Sequence, residues 1–283
     1  MRILITNDDG VFAPGISALA QGLLEALGDQ HELLVVAPLT DHSGAGAAVG
    51  PVYERESIPF EVVDLPGLGQ VPTYGVDGPP ALCSILACIE GFGPQPDLVI
   101  SGINHGTNAG RSALHSGTVG ATLTGAQFGI RGLAVSIAWG EEPIPWETPV
   151  HLVNGMVATM EHVAPGTVLN LNVPAVPLHA LRGLRHGALG SAGLIRSVRP
   201  ESTPNPVRGF PLDSTSGSIM LTLRGMGAAA DRQAEHAELS PESDAALVAE
   251  GWATLTPLLG VREDVSTAGA DCLAAALATF TAP

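Results

Sequence analysis

Two adjacent carboxylates near the N-terminus are the first residues in the chain whose types and spacing could do chemistry. Asp8 and Asp9 stand in the segment Asn7-Asp8-Asp9-Gly10, directly after the apolar run Arg2 to Ile5, which predicts a strand. Paired carboxylates on a tight turn suit a hard divalent cation, because such ions prefer oxygen ligands. The alternative is an ordinary turn capped by aspartates. The pair alone leaves both interpretations open.

A second polar loop, Asp41 to Gly46, follows the apolar run that ends at Ala37. Its glycines, Gly44 and Gly46, let backbone amides approach an anion closely, and Ser43 offers a hydroxyl to a metal or a phosphate. The alternative here is a flexible glycine-rich turn. This loop therefore offers neutral ligand atoms in addition to the two carboxylates. Its composition alone does not indicate a bound ligand.

A third polar segment follows the predicted strand Leu98 to Ser101 and carries Asn104, His105 and Asn108 among glycines. Downstream, Ser116-Gly117-Thr118 opens a predicted helix, and the first amides of a helix form an anion site that the helix dipole reinforces. N-capping by Ser116 or Thr118 is the structural alternative. If the loops meet, the combination predicts a metal-plus-phosphate site.

The elements between these loops predict that they do meet. Apolar runs alternate with helix-like segments in β-α-β order up to about Pro177, which predicts an α/β fold: a Rossmann-like, mostly parallel sheet with helices on both faces. In such sheets ligands collect at the carboxyl ends of the strands, where all these loops fall. The predicted strands are Arg2 to Ile5, Glu32 to Ala37, Thr73 to Val76, Leu98 to Ser101, Leu133 to Ile137 and Val168 to Asn172, and the predicted helices are Ile16 to Ala26, Pro80 to about Glu90, Gly117 to Gly129 and Val150 to His162.

The C-terminal part of the chain has a different pattern. We expect a Rossmann-like α/β core over residues 1–177 and an appendage over residues 178–283 that completes the fold, with loops and antiparallel hairpins over Arg196 to Ser216, which is rich in Pro, Ser and Gly. A short helix at Ser243 to Glu250 and a strand at Trp252 to Thr256 follow. The last predicted helix, Thr267 to Phe280, is apolar around much of its circumference, which indicates a role in oligomerisation.

Composition excludes several classes of protein. Acidic residues outnumber basic ones 28 to 12, every basic residue is arginine, and the formal net charge is −16, so a long nucleic acid is not an expected partner. No apolar run is long enough to cross a bilayer, and no signal peptide precedes the first strand, so we expect no membrane partner and a cytoplasmic location. The three cysteines, Cys83, Cys88 and Cys272, lack metal-type spacing and are interpreted as buried thiols.

Several motifs are missing from the chain. It contains no P-loop, no strand-linked dinucleotide fingerprint and no G-x-S-x-G elbow, so NTPase, dehydrogenase and serine-hydrolase chemistry are not supported. The polar loops are compatible with two functions. One is metal-dependent phosphate hydrolysis, and the other is a non-catalytic nucleotide or phosphate sensor that uses the same loops.

A set of segments stands in an order and spacing that resembles one known family. The pattern resembles the SurE family, the stationary-phase survival 5′/3′-nucleotidases, over roughly Met1 to Ile137 and again near Asp244 to Leu258. The segments are Ile5-Thr6-Asn7-Asp8-Asp9-Gly10-Val11, Ala13-Pro14-Gly15-Ile16, Val36-Ala37-Pro38, Ser43-Gly44, Val76-Asp77-Gly78, Ser101-Gly102-Ile103-Asn104, Ser116-Gly117-Thr118-Val119 and Thr256-Pro257-Leu258.

The resemblance implies specific roles. It implies hydrolysis of nucleoside 5′- and 3′-monophosphates, one divalent ion per subunit, Mg²⁺ or Mn²⁺, and a homodimer or homotetramer. The implied metal ligands are Asp8, Asp9, Ser43 and Asn104, and the implied phosphate contacts are Gly44, Asn108, Ser116, Gly117 and Thr118.

Catalytic assignments follow from the implied metal. Asp8 and Asp9 are the expected catalytic residues, with Asp9 the candidate base for water, although a metal-bound carboxylate is a poor base. His42, His105 and His115 lie in the polar loops and could protonate the leaving group; a locally bonded surface histidine is the alternative for each.

The sequence departs from the family pattern in two places. It has Leu39-Thr40 where the family usually has Asp-Arg, and Gly78-Pro79-Pro80-Ala81-Leu82 where Gly-Thr-Pro-Ala-Asp is usual.

Overall fold

The computed structural model of the chain describes residues 1–69, 71–191, 195–200, 219–223, 239–261 and 266. Within them the strands are β1 (Arg2–Thr6), β2 (Glu32–Pro38), β3 (Phe60–Val62), β4 (Thr73–Val76), β5 (Leu98–His105), β6 (Arg131–Ile137), β7 (Val168–Val173), β8 (Leu184–His186), β9 (Ile195–Pro200), β10 (Ile219–Leu223) and β11 (Ala253–Leu258). The α-helices are α1 (Pro14–Leu27), α2 (Pro80–Cys88), α3 (Gly117–Gln127), α4 (Glu147–Met160) and α5 (Asp244–Ala249).

Nine of the described strands form one sheet in the order β3-β4-β2-β1-β5-β6-β7-β11-β8. The neighbours from β4 to β7 are parallel, while β3 and β11 join antiparallel to β4 and β7. The predicted α/β class with a mostly parallel sheet is therefore confirmed. Strand β1 lies between β2 and β5, so the loop after β1 has the loops from those two strands on either side.

Alternation along β1 divides the core between two helical layers. Ile3 and Ile5 pack with α1 and α4 on one face, whereas Leu4 packs with α2 on the other. Successive strand side chains point to opposite faces, so a buried strand with helices on both sides must be apolar at every position, and β1 is buried throughout. Helix α1 begins with a proline at its first turn and ends at Gly28, whose φ of +51° suits glycine.

Two cysteines lie in this core. Cys83 and Cys88 are free and buried, and burial raises the pKa of Cys88 to about 11 and that of Cys83 further. The predicted buried thiols are confirmed for this pair, and Cys272 lies outside the described residues. No helix in the described part of the chain is long and apolar enough to cross a membrane.

Beyond residue 177 the chain adds to the same sheet and forms a second one. Strands β8 and β11 extend the main sheet, and β9 pairs antiparallel with β10, as expected for this region. The division into residues 1–177 and 178–283 stays a prediction, and the helix predicted over Thr267 to Phe280 lies outside the described residues.

Candidate functional site

The turn after β1 places both aspartates at the carboxyl edge of the sheet. The Asn7 side-chain amide is buried and donates to the main-chain oxygen of Gly10 at 2.8 Å, which closes the turn. Gly10 has a φ of +101°, a conformation that residues with a side chain rarely adopt. The tight turn thus forms because Asn7 closes it and Gly10 permits it.

Asp8 is the more buried of the two carboxylates, with 3% of its surface exposed. Thr118, in the first turn of α3, donates its Oγ1 hydrogen to Asp8 Oδ1 at 2.5 Å. Gly117 lies so close that a Cβ atom there would be 2.6 Å from Asp8 Cβ. Burial raises the pKa of Asp8 above its usual range, against the lowering effect of the Thr118 hydrogen bond. The start of α3 therefore fixes this carboxylate while the fold disfavours its charge.

The pKa of Asp9 matters more for chemistry near neutral pH. Burial, followed by the negative charges of Asp8 and Asp41, raises the pKa of Asp9 to about 7, although the main-chain amide of His105 opposes the shift. Two close carboxylates cannot both ionise cheaply unless a cation lies near them. A raised carboxyl pKa at a sheet edge is a feature of functional sites.

The second loop is held between the aspartate turn and α3. The main-chain N–H of His42 donates to the carbonyl of Asp8 at 2.7 Å, and that of Ser43 donates to Asp41 Oδ1 at 2.7 Å. On its other side the N–H of Gly46 donates to the carbonyl of His115 at 3.0 Å. The structure therefore brings the predicted Ser43-Gly44 pair next to both the carboxylates and the helix start.

The loop also packs tightly on α3 through glycines. A Cβ atom on Gly120 would lie 2.3 Å from the main-chain oxygen of Gly46. Gly44, by contrast, is exposed and has no atom within 4 Å of where its Cβ would be. Its surroundings leave room for a ligand at the position predicted to contact phosphate.

Asn104 and His105 belong to the strand itself. The sequence predicts that β5 ends at Ser101, but the strand continues to His105, because Asn104 and His105 still pair with β6 after an irregularity in register. The Asn104 side-chain amide donates to the carbonyl of Gly106, which leaves its Oδ1 as an oxygen acceptor. Asn104 directly precedes His105, whose main-chain amide lowers the pKa of Asp9, so Asn104 belongs to the segment next to that carboxylate.

The His105 ring packs against two tryptophans. Its centroid is 4.3 Å from that of Trp139 and 5.9 Å from that of Trp146. Its Nε2 is buried without a hydrogen-bond partner among the described residues, and burial lowers the pKa of the ring although Glu142 opposes the shift. The surroundings thus favour a neutral imidazole.

Asn108 is engaged mainly with the protein. Its main-chain N–H donates to Asn172 Oδ1, and its Nδ2 donates to Ser136 Oγ, both at 2.8 Å. Its carbonyl accepts from Asn170 Nδ2 at 2.8 Å. These bonds position the loop after β5. The predicted contact between Asn108 and phosphate stays a prediction.

Ser116 has the capping role that the sequence left open. Its Oγ accepts from the N–H of Val119 at 3.1 Å, so Ser116 is the N-cap of α3. The cap lets the helix begin at Gly117, against Asp8. Capping and anion binding are compatible, because the cap uses only one of the free amides at a helix start.

Sequence reasoning missed two kinds of residue here. One is Asp41, whose charge acts on both Asp8 and Asp9. The other is a set of buried polar side chains that hold the loop after β5. Two of them, Asn170 and Asn172, alternate with apolar residues in the buried strand β7, and this pattern can be recognised in the sequence.

Asp244, at the start of α5, is a third residue of this supporting kind. It is fully buried and accepts from the N–H groups of Gly110 and Gly190 at 2.8 and 3.2 Å. The C-terminal part of the chain is thereby attached to the β5 loop. Only the spatial neighbourhood reveals it, since residues 110 and 244 are far apart in sequence.

The donor set fits a hard divalent ion. Asp8 and Asp9 offer carboxylate oxygens, and Ser43 and Asn104 lie in the segments that contact them, offering a hydroxyl and an amide oxygen. No group of three or more His, Cys, Asp or Glu side chains with metal-binding geometry occurs in the described ranges. A metal here would thus rely on two carboxylates and neutral oxygens.

The comparisons with known proteins agree with one another. The family model described as survival protein SurE matches residues 3–194. A 5′-nucleotidase SurE from Aeromonas hydrophila subsp. hydrophila is 35% identical over 265 residues, which cover 91% of this chain and 92% of the relative. A 5′/3′-nucleotidase SurE from Cronobacter sakazakii is 33% identical, with 91% and 90% covered. The crystal structure of the Aquifex aeolicus SurE protein superimposes with a TM-score of 0.72 at 27% identity, covering 98% of this chain and all of that one.

Proposed function

The chain belongs to the SurE family, and on that premise we propose that it is a metal-dependent phosphomonoesterase that converts nucleoside 5′- and 3′-monophosphates to nucleoside and phosphate. The observation that carries the proposal is the pair Asp8 and Asp9 at the centre of the carboxyl edge. Burial raises both pKa values, and the negative charges of Asp8 and Asp41 raise that of Asp9 further, which is expected of a pair that shares a cation. A phosphate dianion could not approach two bare carboxylates.

Four residues would hold the ion, Mg²⁺ or Mn²⁺, one per subunit: Asp8, Asp9, Ser43 and Asn104. When bound there, a divalent ion supplies positive charge that polarises the phosphoryl group and offsets charge developing on its oxygens. The chain's own residues do the positioning. Thr118 orients Asp8 through its hydroxyl, and the main-chain amide of His105 favours the charged form of Asp9.

The phosphate would lie against the opening of α3. The amide of Gly44 and the segment Ser116 to Thr118 are the proposed contacts, with Asn108 behind them. Helix starts favour anions through free amides and the helix dipole. Asp8 and Asp9 are the proposed catalytic residues. The fold holds the main-chain amides of Gly44 and of the α3 start in place, so these amides would stabilise the transition state without reorganising.

The test is phosphate release from AMP and from 3′-AMP by the purified protein. We expect release with Mn²⁺ or Mg²⁺, none after treatment with a chelator, and recovery when the metal is returned. Asp9→Asn should be inactive at any practical metal concentration, whereas Ser43→Ala, which removes one neutral ligand, should need more metal. Binding of AMP without phosphate release would support a nucleotide sensor instead, and activity indifferent to chelation would overturn the metal-centred proposal.

We also propose that the protein is a cytoplasmic homodimer or homotetramer. The support is the sequence from Thr267 to Phe280, whose apolar residues would surround much of a helix and need burial on more than one side. Light scattering after size-exclusion chromatography, on the full chain and on one ending before Thr267, tests the assembly. An unchanged oligomer after truncation would contradict the role given to this segment.

A further inference from the structure

A cavity of about 220 Å³ opens beside the candidate site, between the loops that follow β2 and β4. Its walls are mainly hydrocarbon, with aliphatic contributions from Ala45, Ala48, Val49, Val52, Ile58 and Leu82. Apolar walls do not solvate a phosphate group, because a buried charge without a partner is costly. The cavity therefore suits an uncharged, flat part of a ligand.

The cavity shares the loop after β2 with the proposed metal and phosphate site. His42 lines it, and the His42 main-chain N–H donates to the Asp8 carbonyl at 2.7 Å. The next two residues in the chain are Ser43, a proposed metal ligand, and Gly44, a proposed phosphate contact. A phosphate held at Gly44 would thus have its ester group next to the cavity wall.

One ion pair gives the cavity a polar edge. Arg55 Nη1 donates to both the main-chain oxygen and Oδ2 of Asp77, each at 3.0 Å, and both residues line the cavity. The two bonds hold the guanidinium in one orientation. A fixed guanidinium plane can stack on an aromatic base, and a carboxylate accepts hydrogen bonds from base N–H groups.

Size decides how much of a nucleotide fits. Sites for drug-sized ligands are about 300 to 1,000 Å³, so a cavity of about 220 Å³ has room for one ring system rather than a whole nucleotide. We propose that this cavity binds the nucleobase of the substrate, and that Ala48, Val52 and the Arg55–Asp77 pair set base recognition. This inference rests on the proposed nucleotidase function and gives its substrate site a location.

A rival position exists on the other side of β1. Trp139 follows β6, is 47% exposed and contacts the His105 ring, so it could stack on a base. It lies one strand beyond β5 in the sheet order, whereas the cavity lies on the β2 and β4 side. The cavity is favoured because it surrounds a ring from several sides, while Trp139 offers a single exposed face.

The test compares a nucleotide with the same molecule lacking its base. Ala48 is exposed at the cavity wall, so Ala48→Trp should fill the cavity; Val52→Phe fills it from another segment, and Ala158→Trp, on the exposed face of α4, is the matched control. We expect the ratio of kcat/KM for AMP to kcat/KM for ribose 5-phosphate to fall at least tenfold in both filling variants, chiefly through KM. The ratio should stay at the wild-type value in the control.

Three outcomes separate the inference from the function. An unchanged ratio in both filling variants, with thermal melts showing folded protein, would overturn the base site, and a fall confined to Trp139→Ala would move the base to the rival position. If wild-type protein releases phosphate from neither substrate, the nucleotidase proposal fails. In that case the binding of adenosine, measured by calorimetry, still tests the cavity, because it should be lost in Ala48→Trp and kept in Ala158→Trp.

Discussion

Replacing Asp9 with asparagine should stabilise the metal-free protein above about pH 7. The substitution removes one of two neighbouring negative charges and keeps the shape of the side chain. In the folded chain, burial and the charges of Asp8 and Asp41 raise the pKa of Asp9 to about 7. An aspartate in an unfolded chain has a pKa of about 3.9. The folded state is therefore penalised whenever Asp9 must be ionised.

The size and direction of the effect follow from that difference. One pKa unit corresponds to about 1.36 kcal/mol, so the gap between about 3.9 and about 7 corresponds to at most about 4 kcal/mol. Solvent at the partly exposed carboxylate reduces this to roughly 2 to 4 kcal/mol. Because the folded pKa of Asp9 is raised, the penalty is absent below about pH 4, grows between about pH 4 and 7, and is complete above about pH 7.

Thermal melts in the presence of a chelator measure this stability penalty. At pH 8 we expect Asp9→Asn to melt about 5 to 10 °C above wild type, and the difference should shrink toward zero near pH 4. Asp64→Asn, an exposed aspartate outside the site, is the matched control and should follow wild type at every pH. Added Mn²⁺ should raise the melting temperature of wild type far more than that of Asp9→Asn. A wild type and variant with parallel pH profiles would refute the reasoning.

Three further substitutions test the supports of the site. Thr118→Val removes the hydroxyl that donates to Asp8 and should lower the free energy of unfolding by about 1 to 3 kcal/mol in urea titrations at pH 8. Gly117→Ala places a Cβ atom 2.6 Å from Asp8 Cβ and should cost about 100-fold in phosphate release, whereas Gly155→Ala, in open space on α4, should keep activity and add about 0.5 to 1 kcal/mol of stability. Asp244→Ala leaves three main-chain N–H groups without their acceptor and should cost about 3 kcal/mol or more by the same titration, with a smaller loss contradicting its bridging role.

The sequence predicts the fold well where strands are buried. Each strand of the parallel part of the sheet is an apolar run, so β1, β2, β4, β6 and β7 begin and end within two residues of their predicted limits. Two of the strands it misses, β3 and β8, are three-residue segments with exposed side chains, which leave no apolar run to detect. Short edge strands form because a neighbouring strand is present, and a single sequence does not contain that information.

The site is predicted less completely, for a related reason. Loops at strand ends can be assigned to one edge of the sheet, so the grouping of Asp8, Ser43 and Asn104 follows from topology. The sequence does not show which of several polar side chains points into the site. Asn108 bonds to β6 and β7, and Asp244 reaches the β5 loop from the C-terminal part of the chain. Such contacts depend on packing between distant segments.

The placement of Thr118 explains how one helix start can contact two negatively charged groups. Its side chain donates to the Asp8 carboxylate, while its main chain belongs to the first turn of α3, where free amides favour an anion. A carboxylate and a phosphate so close would repel each other. A divalent ion held by Asp8 and Asp9 would neutralise the two carboxylates and supply positive charge to the phosphate. In the proposed site, metal and phosphate binding would therefore depend on each other, because α3 begins at Gly117, where the absence of a Cβ atom lets the helix approach Asp8.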